Sequence, residues 1–103
     1  MFNRLFGGSK FLKRMNPLME LYSHSKNTEK TYRELLLLEN LIRTPGERAL
    51  YDLNRACLLY DMKKFRDAAD IILEIQPLNP EFDAQCANIK TKIMIALNKG
   101  ERI

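Results

Sequence analysis

Tryptophan is absent from this 103-residue sequence, histidine occurs once and cysteine twice. With His24 alone and no cysteine near it, neither a metal site nor a histidine-based catalytic triad can be assembled. Cys57 and Cys86 are 29 residues apart, which fits neither a zinc ribbon nor a redox CxxC pair, and two cysteines make no disulfide scaffold. They read as buried, reduced thiols in a cytosolic-type protein, since a free cysteine packs as a small hydrophobe. Glycine is scarce as well. Gly7-Gly8 is no phosphate loop, because no GK[ST] follows it and no strand precedes it. No apolar run reaches the ~18 residues that a membrane-spanning helix needs.

Acidic residues are missing from the first 19 positions, which hold Arg4, Lys10, Lys13 and Arg14. The 13 basic residues that remain balance the 13 acidic ones, so the net charge of +4 belongs to an N-terminal arm on a neutral body. That arm, residues 1–15, also carries Phe2, Leu5, Phe6, Phe11 and Leu12. As a helix it is weakly amphipathic and suits an anionic membrane surface, although Gly7-Gly8 interrupts it. The alternative is an arm that docks on its own body. No basic stripe interleaved with aromatics follows, so nucleic acid is disfavoured as a partner.

What the sequence does contain is helical. Apolar residues make up 46% and charged residues 29%, a globular and not a disordered balance. Leu, Ile, Met and Ala dominate over Val, which favours helix over strand. Asn16-Pro17, Thr44-Pro45 and Asn79-Pro80 each set a capping side chain before a proline, as helix starts do. Thr44 to Glu47 also reads as a capping box, with Glu47 reaching back to the Thr44 amide. These starts predict helices from Pro17 to about Ser25–Asn27, over Thr28–Arg43, Pro45–Met62 and Phe65–Gln76, and from Pro80 onward. No period-two stretch competes. The expected architecture is all-α: a right-handed stack of about five antiparallel helices over residues 16–103, with the arm outside it.

Residues 49–80 resemble a tetratricopeptide repeat, whose pattern runs W-x2-L-G-x2-Y, then A-x3-F, then P. Ala56 stands for the small residue, Leu59 for the tyrosine, Phe65 for the aromatic opening the second helix, Ala68-x3-Ile72 for A-x3-F, and Pro80 for the proline. Asp52 and Arg55 replace the tryptophan and leucine, and Lys63 replaces the turn glycine. The resemblance implies an α-α superhelix whose first-helix faces line a concave groove. On this register the groove holds Leu50, Leu53, Cys57 and Tyr60, continued by Ala84, Ala87, Thr91, Met94 and Ile95. The alternative is that these residues are core, covered by the chain's own first helix or arm. Some members of the family bind chaperone tails through a two-carboxylate clamp of Lys and Asn side chains. Only Asn54 matches here; Ala84 and Asn88 occupy the basic places, so that function is rejected and Asn54 is expected in polar packing.

The expected function is an adaptor or chaperone-like module that binds an apolar helical or extended segment of another protein in a concave groove; the alternative is a basic-arm protein that binds an anionic membrane surface or nucleic acid. Catalysis, metal and cofactor are not expected: Asp67, Asp70 and Glu74 around Arg66 read as a solvated helix face. The expected location is cytoplasmic, peripheral to a membrane if Arg4, Lys10, Lys13 and Arg14 bind its surface. A groove left open is also compatible with homo-oligomers.

Overall fold

The first helix begins at Ser9 and not at the Asn16-Pro17 pair. In the computed structural model, which describes residues 9–101, the Ser9 hydroxyl accepts the Leu12 amide at 3.0 Å and caps helix α1, Lys10–Ser25. Pro17 lies inside α1, where a missing N–H and a ring clash cost ~3 kcal/mol or more. The helix runs through it because Phe11, Leu12 and Met15 on one side of the proline, and Tyr22 on the other, are buried. Each such side chain is worth about 1.5–3 kcal/mol in water removed, so burial outweighs the proline. The boundary drawn after residue 15 therefore falls within α1. Phe2, Arg4, Leu5, Phe6 and the Gly7-Gly8 pair lie outside the described residues.

Helix α2 spans Thr28–Leu36, shorter than the stretch to Arg43 that periodicity predicts. Beyond it the chain tightens: Leu38 N–H donates to the Leu35 carbonyl, Leu41 to Leu38 and Ile42 to Glu39, and Glu39–Leu41 form a 3₁₀ turn. Leu35, Leu38 and Leu41 are three apart, the spacing that a 3₁₀ helix, and not an α-helix, aligns on one side.

Helix α3, Pro45–Asp61, starts at Thr44, whose hydroxyl accepts the Glu47 amide at 3.1 Å. The Glu47 carboxylate returns to the Arg43 amide at 2.7 Å, one residue before the Thr44 amide expected of a capping box. At the far end Lys63 takes the left-handed conformation (φ 64°). The Lys63 amide donates to the Tyr60 carbonyl and the Lys64 amide to the Leu59 carbonyl, a Schellman closure with lysine at the usual glycine position.

Helix α4, Phe65–Ile72, stops four residues short of the expected Gln76, which precedes Pro77 and is disfavoured in helix by it. Asn79 then caps α5, Pro80–Glu101: its side-chain oxygen accepts the Phe82 amide at 2.8 Å, while Asp83 accepts the Leu78 amide at 2.9 Å.

Each helix packs against the next in sequence, and α3 also meets α5. The result is an all-helical stack with no strand among the described residues. The caps of α1, α3 and α5 (Ser9, Thr44 and Asn79) recur at intervals of 35 residues, each accepting the amide three positions on. Between α1 and α3, Phe11 meets Tyr51 edge to face at 6.1 Å, the Asn54 amide reaches the Met15 sulfur at 3.2 Å, and the Tyr22 hydroxyl donates to Asp61 at 2.5 Å. Both helices advance together through these pairs, so α1 and α3 run parallel with α2 returning between them. Ala56, Leu59, Ala68 and Ile72, expected at the α3–α4 contact, are all buried.

Candidate docking surface

The structure distributes the residues expected in the concave groove over three environments. Leu50 and Leu53 belong to the buried core, in the same cluster as Phe11, Leu12 and Met15 of α1. Cys57 is largely buried too; burial, then the Asp61 carboxylate and Cys86, push its thiol up to about 11 against an opposing Lys92. Burial, then Asp83, also raises the Cys86 thiol. Tyr60 stacks obliquely on Phe65 at 5.4 Å, at the turn into α4. Ala84, Ala87 and Thr91 are exposed on α5 with Ile95, and Met94 is half-buried. Asn54, the one clamp-like residue, donates to the Leu50 carbonyl at 3.0 Å as well as to Met15, and is polar packing between α3 and α1. These residues therefore form no single open groove: the α3 part is core, and the accessible part is the outer side of α5.

Polar contacts reinforce the inner wall. The Tyr22 phenol is raised by burial and by its hydrogen bond to Asp61. Arg48 pairs with Glu39 at 3.2 Å and with Asp52 at 3.9 Å, and Arg55 pairs with Asp52 at 3.4 Å. Both guanidinium groups lie 5.5 Å from the centre of the Tyr51 ring. Burial raises the Asp52 carboxyl against the pull of these two arginines.

An accessible cleft of mixed polar and apolar lining lies elsewhere, at the α1–α2 end of the stack. A cleft of about 430 Å³ is lined by Arg14 and Leu18 from α1, Glu34, Leu37 and Leu38 from α2 and its end, and Asn40 and Leu41 from the 3₁₀ turn. That volume is within the range of ligand and side-chain pockets. The cleft arises from the run Leu35-Leu36-Leu37-Leu38. Leu35 and Leu38 turn into the core, while Leu37 is left 75% exposed and Leu36 39%. On α1, one turn past Leu18, Leu21 is 62% exposed. The sequence reading singled out none of Leu18, Glu34, Leu37 and Leu41 as surface of a site, although four consecutive leucines cannot all face one core.

Beside the cleft lies the basic end of α1. Lys10, Lys13 and Arg14 are all exposed, and none forms an ion pair with another described residue. Lys10 and Arg14, four apart, share a side of the helix. Arg4, the fourth residue of the expected basic set, lies outside the described residues. Cations in the first turns oppose the helix dipole at about 0.3–1 kcal/mol each, so they do not serve the stability of α1. Among the described residues no helix is long and apolar enough to cross a membrane.

Comparisons with protein-family models, with curated proteins and with solved structures found no match to this chain.

Proposed function

We propose that the chain is a non-catalytic protein-interaction module, a short tetratricopeptide-like helical repeat that binds an apolar segment of another protein at the cleft between α1 and α2. The observation that carries this reading is Leu37, 75% exposed on the rim of a leucine-walled cleft at an open end of the stack. Large apolar side chains clustered beside a concavity mark interaction sites more often than isolated exposed ones do. The 35-residue recurrence of the helix caps supports the repeat reading. So does the parallel course of α1 and α3, because stacked hairpins leave an apolar end that a further helix covers.

The test is direct binding of a fluorescein-labelled amphipathic peptide with leucines at i, i+3, i+4 and i+7, read by fluorescence anisotropy on the full chain. Leu37→Asp is expected to lower the affinity at least tenfold while the circular dichroism spectrum and melting temperature stay unchanged, since Leu37 is already in water. Equal binding by parent and variant sinks the assignment of the cleft.

A further inference from the structure

The cleft lies close to the point where the chain enters α1. Because α2 runs back along α1, Leu37, Leu38 and Leu41 at its far end share the cleft with Arg14 and Leu18 of α1. At 1.5 Å per residue, Arg14 and Leu18 stand about 8 Å and about 14 Å along the helix from Ser9. Arg14 and Glu34 give the lining one charge of each sign, so it selects an occupant by apolar shape and not by charge. The residues that precede Ser9 supply such an occupant. Phe2, Leu5 and Phe6 fall at i, i+3 and i+4, the anchor spacing of a segment laid helically in a groove, and Gly7-Gly8 follows them. Two glycines without Cβ atoms admit the positive φ angles with which a chain reverses direction. A chain spans at most about 3.3–3.6 Å per residue, so Phe6 reaches about 10 Å from Ser9 and Phe2 more than ~20 Å. Folded back along α1, this segment covers the distance to both Arg14 and Leu18.

We infer that residues 2–6 occupy the α1–α2 cleft in the unliganded chain, with Phe2, Leu5 and Phe6 set against Leu18, Leu37 and Leu41, and that a partner segment must displace them. The occupancy stands by itself; its role as a brake on binding rests on the protein-binding reading above. Tethering favours this occupant over a second molecule. A short flexible linker holds the segment at an effective concentration on the order of millimolar, so a segment of modest intrinsic affinity fills the cleft ahead of a dilute competitor.

The chain has no tryptophan, so Phe6→Trp places a single indole emitter in the segment. In the full chain its emission is expected to be blue-shifted from that of N-acetyltryptophanamide. It should move back to the red when Leu37→Asp is added, or when the unlabelled leucine peptide is titrated in. The double variant Phe2→Ser, Phe6→Ser of the full chain is expected to bind the labelled leucine peptide about tenfold more tightly than the parent, with an unchanged circular dichroism spectrum. Emission of a solvated indole, indifferent to Leu37→Asp, with equal peptide affinity in parent and double variant, overturns the inference and leaves the protein-binding reading standing. Blue-shifted emission that Leu37→Asp reverses, with no peptide bound by parent or double variant, supports the occupancy and overturns the brake together with the protein-binding reading. A blue shift that appears only with vesicles of phosphatidylcholine and phosphatidylserine overturns the inference in favour of a lipid surface. One that appears only as the protein concentration rises overturns it in favour of the same segment from a second copy.

Discussion

Removing the Phe11 ring tests whether the basic N-terminal turns of α1 are part of the fold. Phe11 is fully buried, and its ring meets Tyr51 edge to face at 6.1 Å, across from a helix that begins more than thirty residues later. Phe11→Ala removes the ring from a closed site and is expected to cost about 3–5 kcal/mol, the range for core Phe→Ala, including the ~0.5–1.5 kcal/mol of an aromatic pair. A domain of this size holds roughly 5–15 kcal/mol in total, so this one change should consume a large share of it. At about 4–8 °C per kcal/mol, the melting temperature should fall by on the order of 15 °C or more. Urea unfolding followed by far-UV circular dichroism reads the effect, with Lys13→Ala, two residues away and exposed, as the control at ±0.5 kcal/mol. If Phe11→Ala unfolds at the same urea concentration as Lys13→Ala, residues 10–15 are an appendage and the docking of α1 on α3 is refuted.

Lys63→Gly is expected to stabilise the chain by about 0.5–1 kcal/mol, since Lys63 holds a left-handed conformation (φ 64°) in the Schellman turn that glycine adopts without steric penalty; a loss in a urea titration would contradict that geometry. Tyr22→Phe removes the hydroxyl that bridges Asp61 and Thr28 and should cost about 0.5–1.5 kcal/mol near neutral pH. The folded Tyr22 phenol holds its proton more tightly than the unfolded one, so its stabilisation is complete below the ordinary phenol value of 10.0 and is lost as pH rises through the raised folded value. Alkaline melts of Tyr22→Phe should accordingly show a shallower decline than the parent, not an identical one, with Tyr51, also raised by burial, supplying part of the remaining slope. Leu53→Asp places an unpaired carboxylate at a position 6% exposed and should destabilise by more than ~3 kcal/mol; a folded, stable variant would show Leu53 to be surface after all.

The sequence announced its helices more clearly than their ends. Thr44-Pro45 and Asn79-Pro80 mark two true starts, because a capping oxygen and an N1 proline both act locally. Asn16-Pro17 carries the same letters but lies mid-helix, where the burial of Phe11, Leu12 and Met15 overrides a local signal. Ser9, the true cap, was hidden by Gly8 before it and a lysine after it. The early end of α2 follows from three leucines drawn to one side by a 3₁₀ turn, while α4 ends ahead of Pro77, a local signal that the sequence did carry. The burial of Ala56 and Ala68 on the packed pair α3 and α4 was legible because small residues let two helices approach closely. The candidate cleft was not, since exposure of Leu37 depends on how the leucine run is shared between core and rim.

The groove foreseen on the third helix was a reading of the right residues with the wrong neighbours. Between Pro45 and Asp61, α3 buries Ala49, Leu50, Tyr51, Leu53, Ala56, Leu58 and Leu59, which together cover most of its circumference. A helix apolar nearly all the way round is interior, whatever family its pattern resembles. In a linear stack the interior helix is covered on both sides, here by α1 and α2 before it and by α4 and α5 after it. Apolar side chains are then left in water only where the stack stops. The exposed large hydrophobics among the described residues obey this rule: Leu21, Leu36 and Leu37 lie at the α1–α2 end, Leu73 and Ile95 at the α4–α5 end, and none lies on α3. What distinguishes the two ends is chemistry. The α4–α5 end holds a hollow of about 410 Å³ lined by Lys63, Lys64, Phe65, Arg66, Asp67 and Leu97, whereas the cleft at the α1–α2 end is lined by Leu18, Leu37, Leu38 and Leu41 beside Arg14, Glu34 and Asn40. Leu37, the most exposed of the large hydrophobics among the described residues, stands on the α1–α2 cleft, which is why the recognition proposed for this chain is placed there.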